Sequence, residues 1–550
     1  IGVASFAYFG TFNVNLVNNV AVNINSSSPG NATFTSNATQ LNLQVPAANM
    51  SFTVANNTVA AKEDTAFLDV TLTGSSNLLT TCTYDIVYEY DAGSNVYGQG
   101  TTTKTGDATK EITIEVNGMN GNNHFATETN FDHANIQSYY DSTNKYYKLV
   151  EGAKIQSLGT EQSVRWKITG RYYNLDVSQS QLGGKNFTGK IYAISKGCSS
   201  EDGSSVKKGY ETILANNGGA ASMTTLTSTD FATATTASDK GMYKAADDLG
   251  TSYYFRGAVD NNWVKYGKYT KDMYNCKNGI LSETDTGDSC TKIATKGDNI
   301  YWRIIRVNGD GSIRMIYSGT NGPNVNTKVI KTLDTSLGNS KFNKDFDSAE
   351  YVGYMYEIGK QHGTSQSSDI KTFLEDWYAN YTDLNKTDTK ITDQIYCNDR
   401  TAAEYDGKVA GEISSWASTG TYYYYGASLR FDEYLPSLIC TNANDKFTTT
   451  AKGNGKLTYP VGLITADEVI MAGGYGKSNR SYYLYTGYFQ WVGSPYGFDY
   501  ADAGELAVHG DGSLYSDGLD GLQEARGVVS LSSESKLLGS GTYNDVYTVN

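Results

Sequence analysis

The first charged side chain in this 550-residue chain is Lys62. Every residue before it is neutral, and apolar residues recur there at every second position. Phe12, Val14 and Leu16 alternate with Thr11, Asn13 and Asn15. Val20, Val22 and Ile24 alternate with Ala21, Asn23 and Asn25, and Leu41, Leu43 and Val45 follow the same rule. A period of two predicts strands with one buried face. The opening run carries Ile1, Val3, Phe6, Tyr8 and Phe9 and is apolar on both faces. Edge strands are normally protected by charge, proline or a bulge, and this one has no charge and no proline. Two arrangements would cover it: the interior of its own sheet, or a groove in a neighbouring molecule reached by strand addition. In the second, residues 1–25 form a donor strand. Its contacts would come from Ile1, Val3, Phe6, Tyr8, Phe9, Phe12, Val14, Leu16, Val20 and Val22. A head-to-tail contact of this kind does not close on itself and builds a filament.

Strand-like segments continue as FLDVTL from Phe67, CTYDIVYEY from Cys82 and KEITIEV from Lys110. VRWKITGRYYNL from Val164 and NFTGKIYAIS from Asn186 follow, with Gly, Asn and Ser clusters between them. Many short strands and few helices predict a β-sandwich over 26–200, with a less regular insertion near 119–160. Residues 201–250 are rich in Ser, Thr and Gly and read as a packed connector. From 251 to 550 the texture becomes Tyr-, Trp- and Gly-rich. There IYWRIIRV and SIRMIY flank Asn308-Gly309-Asp310-Gly311, a hairpin signal. Ser368 is placed to cap a helix whose apolar face is Ile370, Phe373, Leu374, Trp377 and Tyr378. Thr465 and Glu468 have capping-box spacing, and Gly473 sits near that helix's end. The expected class is mainly β: a sandwich followed by an α+β domain.

SFAYFGTFNVN, the neutral strands after it and LTTCTYDIVYEY resemble secreted bacterial fibre proteins of the TasA/camelysin type. The resemblance covers about residues 1–200. It implies a jelly-roll-like sandwich and fibres in which an N-terminal strand complements the next subunit. YYFRGAV, IYWRIIRVNGDGSIRMIYSG, YPVGLITADEV, WVGSPYGF and RGVVSL, the last around Arg526, are similar to a C-type-lectin-like domain. That domain is related to the formylglycine-generating-enzyme fold and occurs in bacterial surface proteins. Enzymes of that fold use cysteines late in the domain, and this chain has none after Cys440, so their chemistry does not carry over.

The six cysteines are Cys82, Cys198, Cys276, Cys290, Cys397 and Cys440. There is no CxxC pair, which disfavours zinc and thioredoxin-type chemistry. Proximity suggests Cys276 with Cys290, then Cys397 with Cys440, leaving Cys82 with Cys198. An even cysteine set, with a chain that opens on Ile1 rather than Met, leads to the expectation of export. The net charge of −14 argues against a nucleic-acid partner. No apolar run is long enough to predict a spanning helix. The four histidines, His124, His133, His362 and His509, do not cluster. GxSxG, P-loop and HExxH motifs are absent, so no catalytic residue is assigned.

Asp499, Asp502 and Glu505, and Asp511, Asp517 and Asp520, lie in Asp/Gly loops. Such loops would suit Ca²⁺ if any cofactor were bound; none is expected, and no metal ligand is assigned. Tyr422 to Tyr425 run consecutively. A candidate ligand surface comprises Tyr488, Trp491, Tyr496, Tyr500 and Arg526, because Tyr and Trp offer amphipathic contact area to a glycan or a protein. The expected function is a non-enzymatic, secreted subunit of an extracellular bacterial filament. It would be its own partner as a homopolymer, with the C-terminal domain displayed on the fibre. The alternative is a non-polymeric adhesin that binds a glycan or a cell-surface protein through that domain.

Overall fold

The computed structural model describes residues 20–24, 32–44, 60–74, 78–90, 112–118, 129–130, 140–173, 186–203, 206–404 and 416–550. Strand accounts for 44% and helix for 13% of the described residues, so the fold is mainly β. The chain divides into two compact units, Ile1–Ser205 and Val206–Asn550.

The first unit is a β-sandwich. Its strands are β1 (Val20–Ile24), β2 (Ala32–Ser36), β3 (Thr39–Gln44), β4 (Ala60–Thr73), β5 (Leu78–Tyr90) and β6 (Ile112–Gly118). They continue with β7 (Thr129–Asn130), β8 (Tyr140–Asp141), β9 (Tyr146–Ser157), β10 (Gln162–Tyr173) and β11 (Asn186–Asp202). One sheet has the order β1-β2-β4-β10-β6-β7 and the other β3-β11-β5-β9-β8. From β3 onward, and leaving β8 aside, the first strand lies beside the last and the second beside the penultimate. The third and sixth pair, as do the fourth and fifth, which is the winding of a jelly roll.

Alternation explains the packing. Ala66, Leu68, Val70 and Leu72 of β4 point inward, while Asp69 points outward and receives Arg165 Nε at 2.8 Å. Leu41, Tyr84, Ile86, Tyr88 and Ile191 of the second sheet meet Leu68, Val70, Trp166 and Ile168 of the first in one core. Trp166 Nε1 donates to Tyr84 Oη at 3.0 Å, so the polar ends of both buried rings are satisfied.

Two expectations need correction here. The described part of the expected insertion at 119–160 is regular strand: β7, β8 and β9 lie there, and β9 pairs with β5 along Thr80–Tyr88. Most of the segment expected as a connector belongs to the second unit. It forms the helix Gly209–Asn216 and the strand Lys240–Asp247. Ile213, Met223 and Phe231 anchor it in that unit's core.

Among its described residues the second unit contains an eight-stranded and a seven-stranded sheet, three smaller sheets and short helices around one large core. Asn299–Val307 and Ile313–Tyr317 form the expected hairpin. Gly311 supplies the left-handed φ of 82° that its turn needs. Every residue in both strands is buried, because both faces are covered. Ser368 Oγ accepts from Lys371 N and caps Asp369–Asp376. Behind that helix, Trp377 packs 6.2 Å from Trp302, centre to centre. The capping box of Thr465 and Glu468 forms, and Gly473 ends that helix with φ 124°. A Cβ at Gly473 would also lie 2.7 Å from Thr235 Oγ1.

The three expected disulfides form: Cys82–Cys198, Cys276–Cys290 and Cys397–Cys440. No helix among the described residues is long and apolar enough to cross a membrane.

Candidate functional site

Three features bear on function. The first is the edge of the sandwich. β1 is hydrogen-bonded to β2 in antiparallel register, from Val20 opposite Ser36 to Ile24 opposite Ala32. It has no second strand partner among the described residues. Of the expected donor residues, Val20 and Val22 lie on β1. Ile1, Val3, Phe6, Tyr8, Phe9, Phe12, Val14 and Leu16 lie outside the described residues.

The second feature is an aromatic groove on the seven-stranded sheet of the second unit. Strand parity builds it. Tyr423 and Tyr425 are buried, and Tyr425 Oη donates to Ala349 O at 2.6 Å. Tyr422 and Tyr424 therefore face the other way. Tyr424 meets Tyr496 at 6.0 Å and 82°, and Tyr422 meets Tyr500 at 5.9 Å. Gly497, Gly504, Asp499, Asp502 and Asp517 also line the groove, with Gly497 paired to both Tyr424 and Gly504. The groove has a volume of about 760 Å³.

The proposed ligand surface is thereby divided. Tyr496 lines the groove, and Tyr500 packs against one of its lining rings, Tyr422. Tyr488 is exposed at the opposite end of the strand Gln490–Asp499. Trp491 and Arg526 are corrections, since neither reaches the surface. Trp491 Nε1 donates to Ser340 O at 2.8 Å. Arg526 donates to the carbonyls of Tyr317 and Leu484 and to Gln490. They are the polar ends of core side chains. Tyr422 and Tyr424 were missing from the expected surface. The four-tyrosine run was the signal, because a strand must send alternate members to opposite faces.

The third feature is a cleft of paired charges. Arg306 bridges Asp247 at 2.8 Å and Glu468 at 2.9 Å. Arg314 Nε lies 2.6 Å from Glu468. Arg430 holds Asp467 through two nitrogens at 2.8 and 2.9 Å and Asp399 at 2.7 Å. Burial would raise the Glu468 carboxyl, but Arg314 and Arg306 outweigh it and hold the group below its ordinary range. Each carboxylate is thus committed to an arginine.

Glu505 contrasts with these. It is fully buried, and neither carboxyl oxygen has a hydrogen-bond partner among the described residues. Burial drives its pKa well above the ordinary value, and Arg400 opposes this only partly. A raised carboxyl contributes full stability below its unfolded pKa and loses it as pH climbs through the folded one. Glu505→Gln is therefore expected to stabilise the second unit by roughly 1–3 kcal/mol at neutral pH. The gain should shrink to nothing near pH 4, as urea unfolding across that range would show. An unchanged midpoint at pH 7 would contradict a neutral, desolvated carboxyl.

No group of three or more His, Cys, Asp or Glu side chains among the described residues is arranged to hold a metal ion.

Comparison with protein-family models, with curated proteins and with solved structures finds no match.

Proposed function

We propose that this chain is a secreted, non-enzymatic subunit of an extracellular bacterial filament. It polymerises head to tail through its N-terminal β-strand and displays the second unit on the fibre. The observation that carries the reading is the place of β1: a neutral strand within the charge-free tract, at the end of its sheet with β2 as its one strand partner among the described residues. Its ladder to β2 is made of main-chain hydrogen bonds. The same bonds are available to a strand supplied by another copy, so exchange between chains preserves them. Phe34, opposite Val22, is buried and gives the strand a register to read. The three disulfides support an oxidising compartment. The paired state of the charged cleft supports a structural rather than a catalytic role.

Deletion of residues 1–25 is expected to convert filaments into monomers, seen by electron microscopy and sedimentation. A synthetic peptide of residues 1–25 in excess should cap growth of the full chain and restore any stability lost by the deletion. Filaments of undiminished abundance from the truncated chain would overturn the reading. A non-polymeric adhesin is the second reading; the aromatic groove favours it, and it requires a full chain that never self-assembles.

A further inference from the structure

The geometry points to the tyrosine groove of the second unit as a binding site for a neutral, polyhydroxylated glycan. This rests on the second unit alone and stands whether or not the chain polymerises.

Three observations select the ligand class. The first is shape. The groove's volume of about 760 Å³ is within the range of small-ligand sites, roughly 300–1,000 Å³. Gly497 and Gly504 lack side chains, so the sheet between the rings stays low and open. A Cβ at Gly497 would stand 3.0 Å from Tyr423 O.

The second is the aromatic arrangement. Tyr422 and Tyr500 are 45% and 57% exposed. The flat apolar faces of such exposed rings suit the C–H faces of a sugar ring. A cationic head group would need to sit over ring faces, ideally between several. Here the rings pack against one another, at 5.9 Å for Tyr422 with Tyr500 and 6.0 Å for Tyr424 with Tyr496. They offer outer faces rather than a cage.

The third is charge. Asp499, Asp502 and Asp517 line the groove, and among the described residues no lysine or arginine does. Carboxylates accept hydrogen bonds from sugar hydroxyls in pairs. They repel uronates, sialic acids and phosphate-bearing polymers. The chain's net charge of −14 adds to that repulsion.

The test is native affinity electrophoresis of the full chain through gels containing mannan, dextran or hydroxyethylcellulose as neutral polymers. Polygalacturonate serves as the anionic polymer, and oligolysine is titrated separately. At least one neutral polymer is expected to retard the protein, with no retardation by polygalacturonate. The double variant Tyr422→Ala/Tyr500→Ala should weaken that retardation at least tenfold, and Asp502→Asn severalfold. Both changes are at exposed positions, and matching thermal unfolding curves would show that the fold is kept. The proposal is overturned if none of the three neutral polymers retards the chain. It is equally overturned if retardation survives in the double variant, or if oligolysine is the only probe that binds.

Discussion

Replacing Cys82 and Cys198 together by alanine is expected to cost the first unit about 4–5 kcal/mol. The bond joins residues 116 apart in sequence, and closing a loop of that order restricts the unfolded chain by about this much in the chain-entropy model. It lies inside the sheet, where Cys82 of β5 stands directly opposite Cys198 of β11. β5 pairs with both β11 and β9, so it carries much of the second sheet. Cys82 is fully buried, and alanine there would also leave a small void. Hydrogen exchange read by mass spectrometry should show β5 and β11 losing protection first. Peptides from Val206–Asn550 should keep theirs, since that unit has its own core. A loss below about 1 kcal/mol would mean that the unfolded chain is already compact around this pair.

Glu468→Gln should be nearly as damaging to the second unit, at about 3–5 kcal/mol. Glu468 is buried and faces both Arg306 and Arg314. Arg306 keeps Asp247 after the change, but Arg314 loses the one carboxylate it pairs with among the described residues. The helix Ala466–Ala472 keeps a capping hydroxyl from Thr465 and loses the charged half of its box. The pH dependence follows from the lowered pKa of Glu468. A depressed carboxyl contributes stability above its unfolded pKa and loses it as pH falls through the folded value. The wild-type advantage is therefore expected to be full at pH 7 and to fade below about pH 4. Urea midpoints measured from pH 3 to pH 7 would check this. A variant within about 1 kcal/mol of wild type at pH 7 would show that the arginines are solvated instead.

How far the fold was legible depended on how local its causes are. The strands from Phe67 to Leu72 and from Val164 onward were readable because a pleated chain alternates its faces. The hairpin at Asn308–Gly311 and the caps at Ser368 and Thr465 were readable because a few neighbouring residues make them. β9 was not readable. Its pairing with β5 is interrupted between Tyr84 and Val87, and Gly152 takes a φ of 68°. Each bulge resets the alternation, so the apolar pattern looks irregular. The segment 201–250 misled because small polar residues dominate it. Three apolar side chains nevertheless fasten it to a core contributed by distant residues.

The candidate groove shows the same division. Parity along Tyr422–Tyr425 already required two outward rings. Only the sheet brought Tyr496 beside Tyr424 and Tyr500 beside Tyr422. Trp491 and Arg526 looked like surface groups because of their polar ends, yet the folded chain satisfies those ends with backbone carbonyls in the core. By itself the amino-acid order determined the strand-rich class, the local caps and the neutral leading tract, since short-range sterics, spacing and charge act on near neighbours. Which strands lie side by side, which polar ends are buried and which tyrosines share a groove were decided by tertiary structure. Those outcomes depend on hydrogen bonds and burial between residues far apart in the chain, which no local pattern records.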